Sequence, residues 1–131
     1  MKNTILYIDD DADDIQLLQD ALSYIDGNYQ LKEAADGQEG LEVLHEMKEK
    51  KSLPCLIVLD INMPRMDGRQ TFHHIRSDER LSNIPIVIFS TSNSQLDKIY
   101  FKGKNVEYMT KPINFPHLIE AATRMLDYCR A

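Results

Sequence analysis

Three aspartates, a serine and a lysine follow apolar stretches at separate places along the sequence, and their chemistry is complementary. They are Asp9, Asp10, Asp60, Ser90 and Lys111. Carboxylates held close together repel unless a cation or protons intervene, and a few hard oxygen ligands suit Mg²⁺, which keeps several waters and accepts phosphate oxygens. A lysine charge and a serine hydroxyl opposite such an ion would form a pocket for a phosphoryl group. An aspartate in that pocket can act as the nucleophile and become an acyl phosphate. No histidine or cysteine stands at these positions, which argues against zinc.

Asp60 ends the most apolar stretch of the chain, Cys55–Leu59, which lies between Pro54 and Pro64. A run of this kind indicates a strand buried on both faces, and therefore a parallel sheet with helices above and below. Functional groups of such sheets lie at the carboxyl ends of the strands. We therefore expect Asp60 in the functional crevice. A simpler interpretation is that Asp60 only caps the next segment.

The other acidic and polar residues have comparable positions in a regular alternation of elements. Apolar residues spaced three and four apart, such as Ile15, Leu18, Leu22 and Ile25, predict helices between the strands. Strand and helix alternate five times, which predicts a doubly wound α/β fold with a parallel five-stranded sheet. The predicted strands are Thr4–Ile8, Tyr29–Ala34, Cys55–Asp60, Pro85–Ser90 and Val106–Met109.

Length and charge restrict the class of protein. A chain of 131 residues is sufficient for one domain with its own core, and we expect a single domain over residues 1–131. Fifteen basic and 21 acidic residues give a net charge of −6. An acidic domain is a poor candidate for nucleic-acid binding, which depends on Lys and Arg neutralising phosphates.

The sequence predicts a cytoplasmic protein. No signal-peptide core precedes the first strand, and no apolar run is long enough to span a bilayer, so no membrane partner is expected. Cys55 and Cys129 lack the spacing of a metal or redox motif. They are interpreted as two buried thiols in a reducing compartment.

Four motifs resemble those of the receiver domain of two-component response regulators, the fold of the chemotaxis response regulator. The resemblance covers essentially the whole chain and implies a flavodoxin-like sheet with strand order 2-1-3-4-5. The motifs are Ile8-Asp9-Asp10-Asp11, Leu59-Asp60-Ile61-Asn62-Met63-Pro64-Arg65-Met66-Asp67-Gly68, Phe89-Ser90-Thr91-Ser92 and Tyr108-Met109-Thr110-Lys111-Pro112.

The resemblance implies a role for each site residue. Asp60 is the expected phospho-acceptor, supplied by a sensor histidine kinase or a histidine phosphotransfer protein. Mg²⁺ is the implied cofactor, with Asp9, Asp10, Asp60 and the main-chain carbonyl of Asn62 as ligands. Ser90 and Lys111 are expected to contact the phosphoryl group, and the Lys111–Pro112 peptide is expected to be cis. Tyr108 corresponds to the aromatic residue that changes rotamer when Ser90 moves toward the phosphate.

Two positions depart from the family pattern. The family usually has glycine followed by alanine four residues before the switch aromatic, whereas here Lys104 occupies the glycine position and Gly103 precedes it. Thr91 replaces a common alanine beside the entry to Asp60. The long Arg76–Asn83 connection resembles the corresponding connection in a single-domain subgroup of the family, typified by the cyanobacterial phytochrome regulator.

The expected activity is signalling and not enzymatic turnover of a substrate, apart from self-catalysed phosphotransfer and dephosphorylation. The 19 residues after Pro112 suffice for one helix, so we expect no output domain and a signal passed by protein contact or onward phosphotransfer. The candidates for a homodimer face are Leu96, Ile99 and Tyr100 of the fourth helix and Tyr128 and Cys129 of the last helix, although core packing explains most of them equally well.

Two other functions share parts of this pattern. A Mg²⁺-dependent phosphatase that forms an aspartyl-phosphate needs a second aspartate two residues after the nucleophile, where this chain has Asn62. A flavodoxin-like cofactor protein needs a hydroxyl- and glycine-rich phosphate loop after the first strand. Residues 9–14 instead contain five acids, which would repel a phosphate.

Overall fold

The computed structural model describes residues 3–63 and 65–130. Pro64, a residue of the second predicted motif, lies outside them. Strands and helices alternate along the chain. The strands are β1 (Asn3–Ile8), β2 (Tyr29–Ala34), β3 (Leu56–Leu59), β4 (Ile86–Ser90) and β5 (Glu107–Thr110). The helices are α1 (Ala12–Ile25), α2 (Gly37–Glu49), α3 (Gly68–Ser77), α4 (Gln95–Phe101) and α5 (Phe115–Arg130). No helix among the described residues has the length and apolar character needed to cross a bilayer.

The strands form one parallel sheet in the order β2-β1-β3-β4-β5, as predicted. The register places the strand ends level with each other. Ile8 of β1 pairs with Leu59 of β3, and Leu59 pairs with Ile88 of β4. Asp9 and Asp60 are the residues that directly follow β1 and β3. Because these two strands end level with each other, Asp9 and Asp60 leave the sheet side by side.

Strand β3 is buried along its whole length, which explains its uninterrupted apolar sequence. Its alternate side chains enter two cores, one on each face of the sheet. Val58 packs in the core under α1 and α5, whereas Ile57 and Leu59 pack in the core under α2, α3 and α4. Both faces are therefore covered by helices, as expected for a parallel sheet.

The predicted element boundaries differ from the observed ones by one residue in places. Strand β5 begins at Glu107 and not at Val106, because pairing with β4 starts at the Val87–Glu107 pair. Strand β3 ends at Leu59, so Asp60 is the first residue after the strand. The shift places the Asp60 side chain in the loop that follows the strand, still at the predicted edge.

The prediction of two free thiols is wrong. Cys55 and Cys129 form a disulfide, with their Cα atoms 5.1 Å apart and a sequence separation of 74. The C-terminal end of α5 packs beside the start of β3, and no spacing rule in the sequence shows that contact.

Candidate functional site

Asp9 is fully buried at the end of β1, and its carboxylate is fixed from two sides. The Tyr7 hydroxyl donates to Asp9 Oδ2 at 2.7 Å, and the Asp11 backbone N–H donates to Asp9 Oδ1 at 2.9 Å. Burial, with a further contribution from Asp9, holds the pKa of the Tyr7 phenol far above its usual range. Tyr7 therefore remains a hydrogen-bond donor that orients Asp9.

Three carboxylates of the predicted metal site come together. Asp9, Asp10 and Asp60 each offer one oxygen, and these oxygens lie within 4.8 Å of each other. Asp10 is exposed, so the group is open to solvent on one side. This set of oxygen ligands fits a divalent metal ion. Asp11 is excluded from the group because its side chain caps α1 by accepting from the N–H groups of Asp13 and Asp14.

Asp60 lies at the centre of the site and is 6% exposed. Its backbone N–H donates to the Ile8 carbonyl at 3.0 Å, and the Ile61 N–H donates to Asp60 Oδ1 at 2.9 Å. Burial raises the pKa of the Asp60 carboxyl to about 6; Lys111 opposes this rise, and the Asp9 charge adds to it. The carboxylate is therefore ionised at neutral pH, although it is held in an unfavourable environment.

Lys111 reaches the site from the end of β5. Its backbone N–H donates to the Ser90 carbonyl at 2.8 Å, and its ammonium nitrogen lies 2.6 Å from Asp9 Oδ2, 2.7 Å from Asp14 Oδ2 and 3.8 Å from Asp60 Oδ2. Burial alone would lower the pKa of Lys111, but hydrogen bonds to Asp14 and Asp9 outweigh burial and raise it. The lysine is therefore a fixed positive charge beside Asp60.

Asp14 is a member of this site that the sequence analysis missed. It lies in the first turn of α1, where the helix dipole favours negative charge. Asp10 precedes the N-cap residue Asp11 and is not part of α1, so no helical spacing in the sequence assigned Asp14 to the site. Lys111 is shared between the strand acid Asp9 and the helix acid Asp14.

The predicted cis peptide is absent. The described residues contain no cis peptide bond, so the Lys111–Pro112 bond is trans. For a bond before proline, trans is favoured by about 0.5–1 kcal/mol, and Lys111 reaches both Asp9 and Asp14 with the trans bond.

The main-chain carbonyl of Asn62 stays a predicted metal ligand. Asn62 is exposed in the loop after Asp60.

Ser90 and Tyr108 are connected through a third residue, Ser92. The buried Ser90 hydroxyl accepts from the Ser92 backbone N–H at 3.1 Å, and the Tyr108 hydroxyl donates to the Ser92 carbonyl at 2.8 Å. The Ser92 hydroxyl also donates to Asp97 at 2.8 Å, and Asp97 pairs with Arg69. A movement of Ser90 can therefore reach Tyr108 and α4 through the β4–α4 loop.

The loop after Asp60 is held close to the site by a glycine. A Cβ atom on Gly68 would lie 2.5 Å from the Asp60 carbonyl oxygen and 2.6 Å from Ile61 Cα. Asp67 and Gln70 form a reciprocal capping box at the same point. The N-terminus of α3 can therefore pack directly on the backbone that carries Asp60.

An open depression borders the exposed side of the site at Asp10, and a larger cavity lies elsewhere in the molecule. A depression of about 330 Å³ lies beside Asp10, Asp11 and Asp13. A cavity of about 420 Å³ lies at the opposite edge of the sheet, and none of the acids or Lys111 lines it; its lining includes Arg76, Pro85, Val106, Glu107 and Tyr128. An exposed acidic depression is accessible to a group carried by another protein.

The sheet order, the carboxylate cluster and the adjacent lysine define a receiver-type signalling domain. The family model of the response regulator receiver domain matches residues 5–123. The chain therefore belongs to this family, as its four motifs predict.

One sequence relative and two solved structures illustrate the relationship. The response regulator Rcp1 of Synechocystis is 31% identical over 119 residues, which cover 88% of this chain and 81% of Rcp1. The structure of the phosphorylated cyanobacterial phytochrome response regulator RcpA superposes with a TM-score of 0.88 at 30% identity and covers 100% of this chain and 96% of that one. The Mn²⁺-bound form of Rcp1 superposes with a TM-score of 0.78 at 28% identity over 93% of this chain and 90% of that one.

Proposed function

We propose that this receiver accepts a phosphoryl group on Asp60 from the phosphohistidine of a sensor histidine kinase or a histidine phosphotransfer protein. The observation that carries the proposal is the position of Asp60. Its carboxylate lies close to the carboxylates of Asp9 and Asp10, and its Oδ2 atom lies 3.8 Å from the Lys111 ammonium. The family membership and the likeness to a phosphorylated regulator support the same role.

Mg²⁺ is the proposed cofactor, held by Asp9, Asp10, Asp60 and the carbonyl of Asn62. The donors fit the ion because they are all oxygen atoms. The three carboxylates also carry more negative charge than the single lysine beside them can neutralise. When bound, the ion would neutralise charge on the carboxylates and on the incoming phosphoryl oxygens. The Mn²⁺-bound form of Rcp1 shows that a similar protein holds a divalent ion.

In the proposed transfer, one Asp60 carboxylate oxygen attacks phosphorus while the bond between phosphorus and the histidine nitrogen breaks. The electron pair of that bond stays on the imidazole. Asp60 is ready for this step because its pKa of about 6 leaves it ionised at neutral pH. Lys111 and the Ser90 hydroxyl are the groups that would pair with the phosphoryl oxygens.

The signal would leave the site through Ser90. If Ser90 turns its hydroxyl toward the phosphoryl group, its bond to the Ser92 N–H changes and the contact of Tyr108 with Ser92 changes with it. The two arrangements must differ by only a few kcal/mol for one phosphoryl group to shift the population.

Helix α4 would present the change to a partner protein or to a second copy of the chain. Leu96 and Ile99 are 77% and 64% exposed. Lys104, which departs from the family pattern, places its ammonium 4.7 Å from the Tyr100 ring centroid and so gives this surface its own charge. Tyr128, another residue of the proposed dimer face, instead donates to Glu107 at 2.7 Å.

We also propose that the protein is cytoplasmic and that it acts as a single-domain regulator. High mutual coverage with the cyanobacterial regulators RcpA and Rcp1 supports the second point.

The test is phosphorylation with acetyl phosphate and Mg²⁺, followed by intact mass and hydroxylamine treatment. One hydroxylamine-sensitive phosphoryl group is expected on the wild type and none on Asp60→Ala. Asp10→Ala should slow the reaction, whereas Asp13→Ala, an exposed acid outside the cluster, should not. Phosphorylation of Asp60→Ala to the wild-type level would refute the assignment.

A further inference from the structure

The disulfide connects two elements that carry the proposed phosphorylation site. Cys55 immediately precedes β3, and Asp60 follows the other end of this strand, roughly 16 Å away at 3.3 Å per residue. Cys129 lies in the last turn of α5, the helix that follows Lys111. The covalent ring of chain between the two cysteines therefore contains Asp60, Ser90, Tyr108 and Lys111.

Without the disulfide, weaker contacts hold the end of α5. Arg130 pairs with Asp26 at 3.1 Å, and Arg124 pairs with Glu107. Both arginines are largely exposed, and exposed ion pairs contribute little to stability. Apolar packing of α5 against the core remains, but the disulfide is the covalent tie between this helix and β3. Its formation would therefore restrict any movement of α5 relative to the sheet.

The two cysteines are accessible enough to react. Both are half-buried at the margin of the core under α1 and α5, and neither is sealed inside it. They lie at the edge of the sheet opposite Asp60, so a thiol reagent does not compete with a phosphodonor for space. Disulfide exchange requires access of a thiolate to a sulfur atom, and both half-buried cysteines keep part of their residue surface in contact with solvent.

We propose that Cys55 and Cys129 form a reversible thiol–disulfide exchange site, and that its oxidised form weakens phosphoryl binding at Asp60. In this structure the disulfide coexists with Lys111 held by Asp9 and Asp14, and with its ammonium 3.8 Å from Asp60. Because α5 closely follows Lys111 in sequence, a crosslink at the far end of α5 would favour this arrangement over one in which Lys111 engages a phosphoryl group. The second part of the proposal rests on the proposed function of Asp60.

The exchange needs a disulfide of low molecular weight, such as oxidised glutathione. One cysteine thiolate attacks a glutathione sulfur and releases one glutathione thiolate. The second cysteine thiolate then attacks the protein sulfur of the mixed disulfide and releases the other. Two protein thiols are oxidised, one glutathione disulfide is reduced to two thiols, and the two protons pass from the protein thiols to the released ones.

The first experiment tests the pairing in mixtures of reduced and oxidised glutathione. Peptide mass spectrometry without reduction should find Cys55 linked to Cys129 in a monomer, and excess reduced glutathione should restore two titratable thiols. Cys129→Ser should give only a glutathione adduct at Cys55. Mixed adducts or intermolecular dimers as the main wild-type products would overturn the exchange site.

The second experiment measures the affinity for beryllofluoride, a phosphoryl mimic, with Mg²⁺ present. The disulfide form should bind about fivefold more weakly than the dithiol form, which is at the lower end of common coupling strengths. Reciprocally, saturating beryllofluoride should shift the glutathione equilibrium of the protein toward dithiol by the same factor. The Cys55→Ala/Cys129→Ala protein is the matched control and should bind equally under both redox conditions.

The outcomes separate the two proposals. Equal affinities of the disulfide and dithiol forms, within twofold, would overturn the coupling while the proposed function stands. If neither form binds beryllofluoride, the proposed function fails and the coupling fails with it, whereas the crosslinked peptide would still establish the exchange site.

Discussion

Replacing Asp60 by asparagine is expected to stabilise the metal-free protein, and the gain should depend on pH. The Asp60 carboxyl has a pKa of about 6 in the folded protein against an ordinary value of 3.8. Each pKa unit corresponds to 1.36 kcal/mol, so ionised Asp60 costs about 3 kcal/mol of unfolding free energy at neutral pH. Burial is the main cause, because desolvation disfavours the charged form.

The sign follows from which state binds the proton more tightly. Below pH 3.8 Asp60 is protonated in both the folded and the unfolded chain, so its full contribution to stability is present. As the pH rises from 3.8 to about 6, the unfolded chain loses the proton first and this contribution is lost. Asparagine does not titrate, so the stability of Asp60→Asn relative to wild type should rise across this window by about 3 kcal/mol.

The assay is urea unfolding of both proteins with EDTA, at pH 4 and at pH 7.5. Asp36→Asn is the matched control of opposite sign. Asp36 is also buried, but a hydrogen bond from the Glu39 N–H, followed by Arg65, lowers its pKa. Its charge therefore contributes stability that is lost only at low pH. Asp36→Asn should lose stability at pH 7.5 and lose less at pH 4.

Adding Mg²⁺ at pH 7.5 should stabilise the wild type much more than Asp60→Asn, because binding to the folded state adds to the free energy of unfolding. If Asp60→Asn gains nothing between pH 4 and pH 7.5 relative to wild type, the Asp60 carboxylate is not destabilised by burial and the reasoning fails.

Three further substitutions test the surroundings of Asp60. Lys111→Ala leaves buried carboxylates unpaired, so the unfolding free energy in EDTA should fall by about 3 kcal/mol; an unchanged urea midpoint would contradict the buried ion pair. Gly68→Ala would place a Cβ atom 2.5 Å from the Asp60 carbonyl oxygen, so the free energy of unfolding should fall by about 1–3 kcal/mol. Mg²⁺ binding measured by calorimetry should also weaken. Gly27→Ala is the control and should change neither quantity, because no atom lies within 4 Å of its added Cβ. Tyr108→Phe removes the bond to Ser92 and should cost about 1 kcal/mol in urea unfolding with Mg²⁺ affinity unchanged; weakened Mg²⁺ binding would show that Tyr108 supports the site directly.

The sequence predicted the sheet and the strand-end residues because both depend on local patterns. Apolar runs located the strands, and level pairing of parallel strands was enough to bring Asp9 and Asp60 together. Asp14 was missed because its role depends on how far Lys111 reaches across from β5, which is a tertiary contact. The disulfide was missed for the same reason, since Cys55 and Cys129 are 74 residues apart and meet only through the packing of α5.

The charges of the site explain why a metal ion and a phosphoryl group would depend on each other. Asp9, Asp14 and Asp60 lie within 4 Å of the Lys111 ammonium, which Asp9 and Asp14 already engage, and Asp10 adds a further charge to the carboxylate cluster. Like charges in a partly buried site repel strongly, so a phosphoryl group with roughly two more negative charges could not be held by Lys111 alone. A divalent cation on the Asp10 side would remove much of this repulsion and leave Lys111 available to the phosphoryl oxygens. The same excess of acid that destabilises the empty site would therefore make metal binding a precondition of phosphorylation.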